Sequence, residues 1–113
     1  MARTELTAQT IDNDGMEPSY ESANGDGEEF ANDGNVFIHA KNASGGAIVL
    51  TFKTPATVSG VDIDEVEVSI PAGEERMVGP FDPAVFNQSD GNVDLDFDGV
   101  TSLTIAAFKL PAP

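Results

Sequence analysis

From Val36 onward, apolar and polar residues alternate with the period of two that marks a β-strand. Val36, Ile38 and Ala40 oppose Phe37, His39 and Lys41, and Asn42-Ala43-Ser44-Gly45-Gly46 turns the chain. Residues 47–54 answer as a second strand. Ile48, Leu50 and Phe52 lie on one of its faces and Ala47 and Val49 on the other, which predicts a place well inside a sheet before Pro55 ends it. Val66, Val68 and Ile70 then alternate with Glu67 and Ser69, Pro71-Ala72-Gly73-Glu74-Glu75 turns, and Arg76-Met77-Val78 starts the return strand. Residues 92–97 alternate again, with Val93, Leu95 and Phe97 inward and Asp94, Asp96 and Asp98 outward. Residues 103–110 close the pattern.

Between these strands, Gly79-Pro80-Phe81-Asp82-Pro83 breaks regular structure, and Ala84-Val85-Phe86 is the one plausible helical turn. Short strands joined by Gly, Pro and Asn turns, without an amphipathic helix, predict an all-β fold. The expected architecture is an antiparallel β-sandwich or small jelly-roll-like barrel.

The first 35 residues read differently, with nine carboxylates, one arginine, and Leu6, Ile11, Met16, Tyr20 and Phe30 standing far apart among Asn, Asp, Gly and Ser. Apolar residues so dispersed cannot build a core of their own. We therefore expect an extended acidic N-terminal arm over residues 1–35, with one short strand around residues 20–23, lying on the domain or on a neighbouring subunit. The sandwich domain is expected over residues 36–113. On this reading, removal of residues 1–30 would leave that domain folded.

Charge changes the picture of partners. Twenty acidic residues against five basic ones give the 113-residue chain a net charge of −15, which argues against binding nucleic acid by phosphate neutralisation and against docking on anionic membranes. Self-repulsion at this density also destabilises a compact state in dilute buffer, so the composition points to a halophilic setting. The chain has no cysteine, which removes disulfides, thiolate metal sites and thiol nucleophiles. The N-terminus shows no secretion signal and no apolar run approaches the ~20 residues that span a bilayer. The expected place of assembly is the host cytoplasm.

Catalytic constellations are thin, and we expect no enzyme. His39 is the single histidine, Ser59, Ser69, Ser89 and Ser102 lack a nucleophile-elbow setting, and no Gly-rich phosphate loop is followed by a lysine. The sharpest local motif is Asp94-Leu95-Asp96-Phe97-Asp98-Gly99, which matches the first six positions of an EF-hand loop and fails at the twelfth, where Ile105 stands. We read its three aspartates as one exposed strand face. Were a structural calcium or magnesium ion bound, Asp94, Asp96 and Asp98 would be the candidate ligands. No other cofactor is expected.

Interface chemistry remains. Phe81, Val85 and Phe86 come together in a proline-framed loop that reads either as a plug on the open end of the sandwich or as a subunit contact. Tyr20 and Phe30 are the candidate contacts of the arm.

The set formed by Asn32-Asp33-Gly34, residues 36–42, Val68-Ser69-Ile70-Pro71-Ala72-Gly73, Gly79-Pro80-Phe81 and Leu103-Thr104-Ile105-Ala106-Ala107-Phe108 resembles small β-sandwich proteins encoded beside the major capsid protein of tailed viruses. The resemblance implies a virion structural protein, most simply a capsid decoration or cement protein. Its partners would be the major capsid protein or other virion proteins, and its form a homo-oligomer, a trimer or ring. The acid load would suit a virus of haloarchaea. Alternatives are a neck, connector or tail component and, from another class, a cell-surface adhesion module that binds divalent ions.

Overall fold

Period-two alternation becomes strand wherever one face can be buried. In the computed structural model, which describes residues 3–110, the strands run in chain order as β1 (Thr4–Leu6), β2 (Ala8–Thr10), β3 (Glu21–Ser22), β4 (Glu28–Ala31), β5 (Val36–Asn42), β6 (Ile48–Phe52), β7 (Thr57–Val58), β8 (Val61–Asp62), β9 (Val66–Ile70), β10 (Glu75–Val78), β11 (Asn92–Phe97) and β12 (Leu103–Lys109). A single helical turn, α1 (Pro83–Phe86), is capped by Asp82, whose carboxylate accepts from the Ala84 N–H at 2.9 Å. Met1, Ala2 and residues 111–113, the outermost parts of the expected arm and sandwich, lie outside the described residues.

The fold is an all-β sandwich. One sheet has the order β1-β4-β11-β6-β9 and the other β10-β5-β12-β2, with β3 also pairing β12, while β7 and β8 make a separate ribbon. Alternation sets the faces: along β5, Val36, Ile38, Ala40 and Asn42 are buried and the residues between them are half-buried. β6 is paired on both sides, by β11 and β9, but lies next to the edge of its sheet rather than well inside it as its two apolar faces predicted. The core joins both sheets through Phe30, Ile38, Leu50, Phe52, Ile70, Phe81, Val93, Leu95 and Ile105. Each large side chain so buried contributes roughly 1.5–3 kcal/mol.

Strands of the expected domain pair antiparallel throughout. The N-terminal segment adds two parallel pairings, β1 with β4 and β2 with β12, so the sheets are mixed. Parallel neighbours require a long connection, and the chain between β1 and β4 supplies one by crossing to the other sheet and back.

This segment is where the structure departs most from the expected arm. Residues 4–31 form strands in both sheets, and Leu6 and Phe30 sit in the common core. The expected boundary at residue 35 therefore does not separate a core from an appendage. The physical reason is that dispersed apolar residues need not build their own core when the sheets leave gaps that one Leu and one Phe fill. Thr7 alone separates β1 from β2, so the chain changes sheet at one edge, and residues 71–74 make the same change between β9 and β10 at the other.

The second corner is held by Asn42, buried at the end of β5. Its Nδ2 donates to the Ile70 and Gly46 carbonyls at 2.9 and 2.8 Å, and its Oδ1 accepts from the Ser44 N–H at 2.9 Å. Asn32 plays the equivalent part beside α1, donating to the Phe81 carbonyl at 3.0 Å and to Asn87 Oδ1 at 2.8 Å.

Candidate functional site: an apolar face on an acidic surface

The outer face of the second sheet carries the side chains that alternation turns away from the core. Register places Met77 of β10 beside His39 of β5 and His39 beside Ala106 of β12, with Phe37 beside Phe108 in the next row. The Phe37 and Phe108 rings lie 5.7 Å apart. Residues 11–20 cross over the β12 side of this face. Tyr20 meets Phe108 edge-on at 5.9 Å, leaving Phe108 5% exposed.

Polar groups fasten Tyr20 there. Its hydroxyl is 2.7 Å from His39 Nδ1, and His39 Nε2 is 2.6 Å from a Glu75 carboxylate oxygen. An imidazole with its hydrogen on Nε2 fits both bonds, accepting from Tyr20 and donating to Glu75. Lys41 Nζ sits 4.1 Å above the centre of the Tyr20 ring, a cation–π contact.

Toward β10 the face is open. Met77 is 63% exposed and Leu110 57%. A hollow of about 300 Å³ runs between Phe37, Met77, Pro80 and Leu110, and a second of about 370 Å³ adjoins it between Ile11, Met16, Tyr20, Phe37 and Met77. Gly79 makes the close approach that shapes the first hollow. Its φ is +143°, and a Cβ there would fall 2.7 Å from Phe37 Cβ. β10 is also the edge of its sheet, kept short and opened by the charged residues Glu75 and Arg76, which discourages indiscriminate strand pairing. A smaller apolar spot lies on the β7–β8 ribbon, where Val58 and Val61 are exposed.

The first sheet's outer face is electrostatic instead. Arg3 Nη1 is 2.6 Å from Asp96, Arg3 Nε 3.6 Å from Asp94, and Lys53 bridges Glu65 and Asp96 at 3.1 and 3.3 Å. Partial burial works against ionisation of Asp96, but the hydrogen bond and charge of Arg3, with help from Lys53, hold its carboxyl below the usual range. Burial raises that of Asp94. The same pairing with Asp96 raises Arg3, and the bond to Glu65 raises Lys53.

The candidate ion ligands therefore have different neighbours. Asp94 and Asp96 face Arg3, whereas Asp98 accepts from the Val49 N–H at 2.8 Å. Among the described residues no three His, Asp or Glu side chains converge as a metal site would require.

The interface candidates divide as well. Phe30 and Phe81 are buried, with Phe81 packed against Phe30, Phe52 and Phe86 at 5.3, 4.8 and 5.2 Å, so Phe81 plugs the sandwich. Val85 and Phe86 are half-buried on α1, and Tyr20 is half-buried on the apolar face. Sequence reasoning passed over Phe37, Met77 and Leu110. The signal was present in β5, whose outward positions include a phenylalanine where a solvated face would carry a polar residue.

Compared with models of known families, with curated proteins and with solved structures, the chain matches none.

Proposed function

We propose that this is a non-enzymatic virion structural protein, a capsid decoration protein that stabilises the head of a tailed virus. It docks through the outer face of the second sheet. One observation carries the reading: on a chain of net charge −15, Met77 and Leu110 stand exposed together over Phe37 on one rigid sheet face. An apolar patch set in a polar surround is the signature of an interaction site. A sandwich whose edges are turned by the chain itself loses little conformational freedom on docking. The family resemblance and the carboxylates spread over the remaining surface support the same assignment in a haloarchaeal virus. Its partners are the major capsid protein or a second copy of the chain in a trimer or ring.

Mass spectrometry of purified particles, for wild type and Met77→Asp, tests this. Wild type is expected at roughly tens to hundreds of copies per particle, as lattice decoration requires, and the variant is expected to fold but be missing from particles. Absence of the wild-type chain from particles overturns the assignment. About six or twelve copies would place it in a neck ring instead.

A further inference from the structure

We infer that residues 11–23 are a releasable strap over the aromatic outer face of the second sheet, fastened only while the carboxyl group of Glu28 is uncharged. The inference concerns the free protein and stands whether or not the face docks on a virion.

Glu28 opens β4 and points inward, opposite Leu95 and two residues from Phe30. It is fully buried, and no side chain hydrogen-bonds either carboxylate oxygen, the Asn24 backbone amide lying toward it without a hydrogen bond of good geometry. A charge left so is among the most costly features a core can hold. Charged groups on the neighbouring strands do not relieve it. Arg3 donates to the Glu28 backbone carbonyl at 3.4 Å, but its charge is directed at Asp96 and Asp94 on the outer face of the first sheet. Glu5 and Glu29 are register partners on that same outer side, and Lys41 of β5 is turned to Tyr20 on the far face. Lys109 ends β12, four residues beyond the Ile105 that pairs with β3. The charged neighbour that bears on Glu28 is Glu21 of β3, and it has the same sign. Burial first, then Glu21, push the Glu28 carboxyl up to about 7, against a smaller pull from the Asn24 backbone amide.

A charged Glu28 must reach water, and its two flanks are held unequally. On the β1 side the backbone is tied over three residue pairs, with the Thr4 N–H donating to the Gly27 carbonyl at 3.2 Å and Arg3 donating to the Glu28 carbonyl at 3.4 Å. On the other flank β3 meets β12 over two residue pairs only, and both Glu21 and Ser22 are exposed. Residues 24–27 tie that weak strand directly to Glu28. Displacement of β3 carries away Ala23, whose N–H donates to the Leu103 carbonyl at 3.0 Å, and then Tyr20. Phe108 loses its cover.

Tyr20 reports the event because it is the single tyrosine of a chain without tryptophan. We expect its near-ultraviolet circular dichroism to collapse, and its quenching by acrylamide to rise, between about pH 5 and about pH 9 at fixed ionic strength, while the far-ultraviolet spectrum holds. In Glu28→Gln the Tyr20 signal should stay constant across that range. In Glu21→Gln the midpoint should move to lower pH, because a like charge is gone. A wild-type Tyr20 signal that does not change with pH overturns the inference, as does an unchanged transition in Glu28→Gln. Should Glu28→Gln fail to fold, an unmoved midpoint in Glu21→Gln overturns it.

Discussion

The Arg3 guanidinium lies 2.6 Å from the Asp96 carboxylate, joining the third residue of the chain to β11 one residue before its end. The same nitrogen donates to the Leu95 carbonyl at 3.1 Å, so the contact braces β11 where β4 and β6 flank it. Arg3→Gln should destabilise the protein by about 1–2 kcal/mol, the sum of a partly exposed ion pair worth roughly 0–1 kcal/mol and a hydrogen bond to the Leu95 carbonyl worth about 1 kcal/mol. The loss should shrink in acid. The carboxyl of Asp96 is held below its ordinary value in the folded state, so its contribution is present above that ordinary value and disappears as pH falls through the folded one. Urea titrations of both proteins at neutral and acid pH would show it.

Deletion of residues 1–30 should abolish cooperative folding, because it removes β1, β2, β3 and the core side chains Leu6 and Phe30 together. The point variant Phe30→Ala isolates the packing term and should cost about 3–5 kcal/mol. Thermal melts followed by circular dichroism check both. A truncated chain with an unchanged transition would restore the expectation of a dispensable arm.

Phe81→Ala should lower the melting temperature without altering the mass measured by light scattering. Its ring is buried among Phe30, Phe52 and Phe86, so truncation opens a cavity and costs about 3–5 kcal/mol. A variant that keeps its melting temperature but loses an oligomer would instead make Phe81 an anchor.

The strands of residues 36–110 were legible because each has one buried and one less buried face, and period two records that directly. β5, β6, β9, β11 and β12 fall within a residue or two of the predicted segments. Of the N-terminal strands only β3 was legible, inside the short strand expected around residues 20–23. β1 and β2 are three residues long each and take their order from partners far along the chain, Phe30 for Leu6 and Ala107 for Ala8. Local pattern cannot carry such pairings. Glu28 was hidden for a related reason: in a segment with nine carboxylates, nothing local marks the one that faces inward. On the apolar face, Phe37 and Met77 each read as an ordinary strand residue. Only the β10–β5 register, which sets Met77 beside His39, and the hollow that Met77 shares with Phe37 bring them together.

Salt should stabilise the fold. The ion pairs of Arg3, Lys53 and Arg76 are at least partly exposed, and such pairs contribute roughly 0–1 kcal/mol each. Against them stands repulsion within a net charge of −15, acting over a Debye length of about 8 Å at physiological ionic strength and about 3 Å at 1 M. Repulsion wins, so the melting temperature should rise steadily with potassium chloride. A fall would mean that the ion pairs dominate.

Stability should decline as pH rises through neutrality, opposite to the trend that Asp96 sets in acid. The Glu28 carboxyl stands at about 7 in the folded protein against an ordinary 4.5. A raised acid favours folding fully below the ordinary value, and that advantage is lost as pH climbs through the folded one. With about 1.4 kcal/mol per pH unit, the difference of 7 and 4.5 sets a loss of about 3 kcal/mol at alkaline pH. Glu28→Gln, which cannot ionise, should have a flat urea midpoint across the same range. It should fall below wild type in acid, by the cost of a buried amide without side-chain partners, and exceed it in base. If the strap over Phe108 releases first, the wild-type loss is capped at the free energy of that release. The urea midpoint would then level off short of the full loss of about 3 kcal/mol while the Tyr20 signal is already gone.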